Sequence, residues 1–426
     1  MGAMRCGPRP PFARIAFVLF AAVASLCLLQ FWHLALPATQ FAHVVTSPPQ
    51  GSSQSTGTPV NATTTDHSTT VASPQPSHVV HVQSPKWGPR NTTLGFDAIL
   101  ALSKGGETWR VQGIHAAGAL TDVKITIPPQ PSWTKEMIEA FAKLGPDTEG
   151  IQKPGIGSAA AWLAHIDLLK YVIQSDLNSA LIMEDDVDWD VNIKDQLSKA
   201  AETVRNHTNA PFEEQNPYSS NWDILWLGHC GDIPRDNTTF TFFPDPTVVR
   251  HSTYEGFAAG YLKDNFPEGQ RAVYKSQGAI CTYAYAVNKR GVRKVLEYVS
   301  GGQEQAFDTK LFHGCRSGAL ECISVNPELF RHFTPDEKFG QTSEVDKQNW
   351  GGEEKIGKND EEAKKGGGGG AAAASGQQLQ FSVARKITGT TKNIKESARC
   401  KAIWDTTCTG EEGVDNRHDQ EHCFWS

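Results

Sequence analysis

The stretch SALIMEDDVDWD, residues 179–190, decides the reading of this chain. Residues 179–183 have the length and apolar bulk of a buried strand, and they run directly into acids. Five carboxylates fall within residues 184–190. Like charges crowded at a strand end repel one another, and a bound cation relieves that repulsion. Carboxylate oxygens are hard ligands suited to Mn²⁺ or Mg²⁺. An ion held there could bridge a diphosphate and neutralise charge on a leaving nucleotide.

Other readings of the same acids stand beside this one. Asp186-x-Asp188-x-Asp190 mimics the opening of a calcium loop, but Val191 and Leu197 replace the glycine and glutamate that such a loop requires. Asp188 or Asp190, more so Asp190, sits where it could cap a helix beginning near Ile193. A solvated acidic loop with no ligand is the plainest alternative.

Outward from the cluster, short apolar runs alternate with helical patterns. Strands are expected at 96–102, 179–183, 223–227 and 279–287. Helices are expected at 133–144, 158–174, 193–205 and 289–299, the second with Trp162, His165, Ile166, Leu169 and Ile173 at helical spacing. Alternation of this kind predicts an α/β domain with a largely parallel sheet flanked by helices. Ligands of such sheets bind beyond the carboxyl ends of the strands.

Residues 15–36 are almost wholly apolar and uncharged, long enough for one transmembrane helix. Arg5, Arg9 and Arg14 precede it, and no Lys or Arg follows before Lys86. This asymmetry predicts a cytoplasmic tail over 1–14 and a signal-anchor that places the rest across the membrane. A cleaved signal peptide is the alternative, but the run is long and no small-x-small cleavage site follows it. A Ser/Thr/Pro-rich stalk is expected over 37–90, a catalytic domain over 91–350, a Gly/Ala linker over 351–377 and a Cys-containing tail over 378–426. Sequons at Asn61, Asn91, Asn206 and Asn237 agree with a lumenal location. There, cysteines can form disulfides, and Cys315 and Cys322 are near enough in sequence to close a short loop. A net charge of -7 argues against nucleic acid as a partner. The nine cysteines lack the paired spacing of a structural zinc site.

Several segments resemble glycosyltransferase family 25, which includes lipopolysaccharide sugar transferases and collagen galactosyltransferases. They are LAHIDLLKYV (163–172), SALIMEDDVDWD, WDILWLGHCG (222–231), GAICTYAYAVNKRGVRKVLE (278–297), FDTKLFHGC (307–315) and CISVNPELFRH (322–332). NIKESARCKAIW (393–404) is similar to the tail of fungal members. The resemblance implies a GT-A-like nucleotide-sugar-binding fold, a UDP-sugar donor, a glycan or glycoprotein acceptor, and Mn²⁺ or Mg²⁺ as cofactor. It implies a Golgi type II membrane protein with a lumenal catalytic domain. By the same likeness Asp186 is a metal ligand central to catalysis, with Asp188 and His332 as further metal candidates. Glu184, Asp185 and His165 would serve the donor. Asp308 is the candidate base for the acceptor hydroxyl, or else caps its own helix. The family's basic segment after the first strand is altered here, leaving Lys104 and Arg110 as the basic candidates. A catalytically inactive lectin-like or scaffold protein is the competing function, and a cell-surface adhesin a third.

Overall fold

The computed structural model describes residues 88–339 except 146, 148, 149 and 151, together with 343, 345 and 381–408. The expected cytoplasmic tail, membrane anchor and linker lie outside the described residues, as does all but the end of the expected stalk. Among the described residues one helix, Ile156–Gln174, is long and apolar enough to cross a membrane. Its Trp162, Ile166 and Leu169 are buried against the sheet, as in a core helix of a globular domain.

The chain forms an α/β domain around a seven-stranded sheet. Strand β1 (Ala98–Leu102) leads to α1 (Trp109–Thr121), α2 (Lys135–Ala142) and α3 (Ile156–Gln174). Then come β2 (Ser179–Glu184), β3 (Val187–Trp189), α4 (Ile193–His207), β4 (Ile224–Gly228) and β5 (Thr241–Pro244). Helix α5 (Ala259–Asn265), β6 (Gln270–Lys275), β7 (Ala284–Asn288), α6 (Gly291–Val299) and α7 (Phe307–Ser317) follow. The last elements are β8 (Cys322–Asn326), β9 (Phe330–Pro335), β10 (Gly389–Thr391) and α8 (Ala398–Trp404).

The order in the main sheet is β1-β2-β7-β4-β8-β6-β5. The expectation of a largely parallel sheet is corrected here. Only β1 with β2 and β4 with β8 run parallel, and the other pairings are antiparallel. Strands such as ALIM and ILWL are apolar on both faces because both faces are covered. That pattern says a strand is central but not which way its neighbour runs. The two apolar layers are carried by Trp189, Trp222 and Phe330 on one face and by Trp162, Trp226 and Tyr285 on the other.

The register sets the site. Leu102 lies opposite Glu184, Met183 opposite Ala284, and Gly228 opposite Ala284. The ends of β1, β2 and β4 and the start of β7 therefore meet at one edge. Residues 279–283, expected as the first half of a strand, form instead the approach to β7. Cys281 has φ +67 there, outside strand geometry.

A second sheet, β10-β9-β3, crosses this edge, and the C-terminal segment supplies one of its strands. Asp188 ties that segment down. Its Oδ2 accepts from Thr391 Oγ1 at 2.6 Å and from Ser397 Oγ, while its Oδ1 accepts from the backbone N–H groups of Arg399 at 3.0 Å and Trp189 at 2.8 Å. A carboxylate has about four lone-pair positions, and Asp188 uses four while fully buried. The metal-ligand role expected for Asp188 is thus replaced by an anchoring one. Asp190 has a similar part: its oxygens accept from the N–H groups of Asn192, ahead of α4, and Glu396, each at 2.9 Å.

Removing a buried hydrogen-bonded carboxylate leaves its donors unpaired, at a cost of about 3 kcal/mol. Asp188→Ala is expected to lower unfolding stability by about that amount in urea titrations. A wild-type midpoint would show that the anchor is not required.

Candidate active site

Crowding at the end of β2 is met first by a cation from the protein itself. Arg110, in the first turn of α1, pairs with Asp185 Oδ1 at 3.3 Å and also with Asp186 Oδ2. These side chains are largely enclosed, with 9% of Arg110, 15% of Asp185 and 17% of Asp186 accessible. Helix α1 is placed to deliver this arginine by its cap, Thr108, whose hydroxyl accepts from the Val111 N–H. From the end of β1, Ser103 Oγ donates to Asp185 Oδ2 at 2.6 Å. Lys104 follows on the same loop and is exposed.

Glu184 is held from the other side. Thr282 Oγ1 donates to Glu184 Oε1 at 2.9 Å, and His165 Nε2 lies 3.2 Å from the same hydroxyl. The other ring nitrogen, Nδ1, lies 3.2 Å from Tyr285 Oη. With the threonine hydrogen committed to Glu184, His165 must donate from Nε2 and accept at Nδ1 from the tyrosine. The ring also stacks on Phe307 at 4.3 Å. Burial drives His165 down to about 3, so it is neutral. His165 therefore reaches Glu184 only through Thr282 and is a positioning residue.

The electrostatics follow from enclosure. Burial, aided by the negative charge of Asp186, pushes Glu184 up to about 8. Burial likewise raises Asp185 to about 6, against the pull of Arg110.

Asp186 Oδ1 and His332 Nδ1 are among the buried polar atoms here without a hydrogen-bond partner. Asp186 lies in the turn between β2 and β3 and His332 on β9: Val187 is opposite His332, and the Phe333 N–H donates to the Asp186 carbonyl at 2.7 Å. The other nitrogen of His332, Nε2, contacts Thr334 Oγ1 at 3.0 Å, and its ring lies 4.8 Å from that of Tyr283. Burial pushes His332 below the usual histidine range, favouring the neutral form that ligates metals. Among the described residues no three or more His, Cys, Asp or Glu side chains form a ready-made metal group. Mn²⁺ or Mg²⁺ in a nucleotide site needs less than that: one or two protein ligands, with phosphate oxygens and water completing the set. Asp186 and His332 are the side chains here with unpartnered atoms of the right chemistry.

Asp308 lies at the opposite lip. Its Oδ2 accepts the Cys281 N–H at 2.9 Å and its Oδ1 the Thr309 N–H at 2.8 Å. Asp308 is the second residue of α7, whose cap position is Ala306, so it does not cap the helix; it grips the segment carrying Thr282 and Tyr283. Cys281 is further tied by a disulfide to Cys230, with Cα atoms 5.5 Å apart. A second disulfide joins Cys315 to Cys322, as their spacing allowed. Two disulfides suggest an extracellular or lumenal domain.

The edge thus gathers Glu184, Asp185, Asp186, Arg110 and His332, with Asp308 and His165 reaching it through the 281–283 segment. Asp188 is directed elsewhere. Thr282, Ser103 and Tyr283 were not singled out in the sequence, where a lone Thr or Ser carries no motif. An open cleft of about 540 Å³ lies between α3 and α6. It is lined by Leu163, Ile166, Lys170 and Arg293 among others, and by none of the acids above.

The chain matches no protein-family model. No curated protein matches it either.

The raised carboxyl groups give stability a definite pH dependence. Between its ordinary value near 4.5 and its folded value near 8, Glu184 holds a proton in the folded chain that the unfolded chain has lost. Stability must then fall as pH rises through this window, and Asp185 adds the same sign up to about 6. Metal-free protein is expected to melt at progressively lower temperature from pH 5 to 8, with a shallower slope in Glu184→Gln. Equal slopes in the two proteins would contradict the assignment.

Proposed function

We propose that this chain is a metal-dependent glycosyltransferase of the secretory pathway. It moves a hexose, galactose from UDP-galactose in the leading form, to a glycan or glycoprotein acceptor. In this reading the domain is lumenal and is held at the Golgi membrane by the apolar segment 15–36. The observation that carries the reading is the unpartnered Asp186 oxygen, at a strand end crowded with carboxylates, with an unpartnered His332 nitrogen on the strand paired with β3. The resemblance to glycosyltransferase family 25 in residues 163–332 supports the same conclusion.

Bound Mn²⁺ or Mg²⁺ would supply positive charge to the donor pyrophosphate. Asp186 and His332 would hold the ion. Asp185, fixed by Ser103 and Arg110, and Glu184, fixed by Thr282, would orient the ribose and the sugar. Arg110 and Lys104 add positive charge at the end of β1 for the donor phosphates. Asp308 would take the acceptor hydroxyl's proton, its orientation kept by two N–H donors. Water exclusion falls to the aromatic wall of Tyr283 and His332.

A second reading has an observation of its own. Arg110 already pairs with Asp185 and Asp186, so the acids have a counter-charge within the chain. That arrangement also suits a lectin-like or scaffold protein that has kept the fold without turnover. Calorimetry with UDP and Mn²⁺ separates the two, since metal-dependent UDP binding is expected only of the transferase.

The direct test incubates the purified lumenal domain with Mn²⁺ and a panel of UDP-sugars, with and without glycan acceptors. Metal-dependent UDP release is expected with at least one donor. Asp186→Asn should reduce it by about 100-fold or more with little change in melting temperature. Absence of release with every donor would overturn the proposal. Thr282→Val should lower kcat with the fold intact, and Thr282→Ser should restore it. A serine variant as slow as the valine variant would refute hydroxyl positioning of Glu184.

A further inference from the structure

Two cysteines play no part in the site or its disulfides. Cys400 is buried and Cys408 half-buried, and they are the unpaired cysteines of the described residues. Both belong to the apolar cluster of Trp109, Phe333 and Ile387, with Trp404 beside them.

The backbone brings them together. Ser397 caps α8, its hydroxyl accepting the Cys400 N–H at 2.9 Å while donating to the anchoring carboxylate of Asp188. The helix ends at Asp405, whose φ of +55 is left-handed and reverses the chain. Cys408, itself at φ +49, then returns onto the first turn of the helix. Its sulfur lies 3.1 Å from Thr406 Oγ1, and Cys408 packs on the same apolar cluster that contains Cys400. The turn that ends α8 therefore brings the two cysteines onto one apolar cluster. The fold holds two other disulfides, so it matures where thiols in contact are oxidised.

We propose that Cys400 and Cys408 form a third disulfide in the mature protein, closing the C-terminal segment onto α8. The thiols lose two protons and two electrons as the S–S bond forms. A protein disulfide or glutathione disulfide accepts them and is reduced to two thiols. The cross-link fixes α8 where Arg399 lies over Phe333, 4.2 Å from the ring centroid, and donates to the Trp109 carbonyl at 2.8 Å. Trp109 is the neighbour of Arg110, so the bond staples the layer behind the acid cluster. It leaves Cys423 as the odd lumenal cysteine. This inference does not depend on the glycosyltransferase reading.

The test uses the full chain secreted from a eukaryotic host. Free thiols are alkylated under denaturing conditions, and the protein is mapped with trypsin without reduction. Cleavage after Arg399 and Lys401 separates the two cysteines. The expected species is the dipeptide 400–401 linked to peptide 402–417, lost on reduction. Alkylation of both cysteines, or linkage of either one to Cys423 or any other cysteine, would overturn the proposal. Cys408→Ser should also expose the Cys400 thiol to alkylation after denaturation. A Cys400 still blocked in that variant would show a different partner and refute the pairing.

Discussion

Everything at the functional edge depends on how three adjacent carboxylates are kept at the end of one buried strand. Water cannot solvate them fully, because Asp185 and Asp186 are each more than four-fifths enclosed. One guanidinium cannot neutralise three negative charges, and the chain resolves the excess by protonation. Glu184 is pushed up to about 8, so near neutral pH it is largely uncharged and two carboxylates face Arg110. Asp186 presents its unpartnered oxygen there. A second cation entering there would lower the pKa of Glu184 and release its proton. Binding of such a cation would therefore be coupled to pH through the same three residues.

The arrangement is rigid because distant parts of the chain hold it. Arg110 stands on α1, and α1 is backed by α8 from the C-terminal segment. The fit is close: a Cβ on Gly113 of α1 would lie 2.1 Å from Cζ of Arg399. His332 stands on β9, which is flanked by β3 and β10. Asn393, just after β10, donates to Glu328 at 2.8 Å, and Glu328 pairs with Arg331 at 2.8 Å. Thus both the arginine and the histidine nearest Asp186 are positioned by residues far along the chain.

Much of this was legible in the sequence. The β2 strand, its acid terminus, the helix 156–174 and the short Cys315–Cys322 loop follow from local pattern. Helix α1 was missed because it lacks an apolar stripe. Packed between the sheet and α8, it buries Arg110, Gln112, Gly113 and Gly118 along with Trp109 and Ile114, so its periodicity is blurred. Strand direction was misjudged because a strand covered on both faces reads the same whichever way its neighbours run. Asp188 was misassigned for a related reason. Spacing places it beside Asp186, but its partners Thr391, Ser397 and Arg399 lie some 200 residues later, and no local signal marks them.

The contrast between Asp186 and Asp188 shows what separates a structural from a chemical carboxylate in the same motif. Both are enclosed and both come from one seven-residue run of acids. Asp188 spends all of its lone pairs on donors of fixed position, so it gains nothing from a ligand. Asp186 spends one oxygen on Arg110, a charge at the end of a long side chain, and leaves the other without a donor. A buried unpaired carboxylate oxygen is costly, and a fold this well connected could have supplied a hydroxyl or N–H to it, as it did for its neighbour. Retaining the cost at this oxygen is understandable if something outside the chain completes it. The chemistry of the oxygen suits a divalent cation better than it suits a neutral sugar hydroxyl.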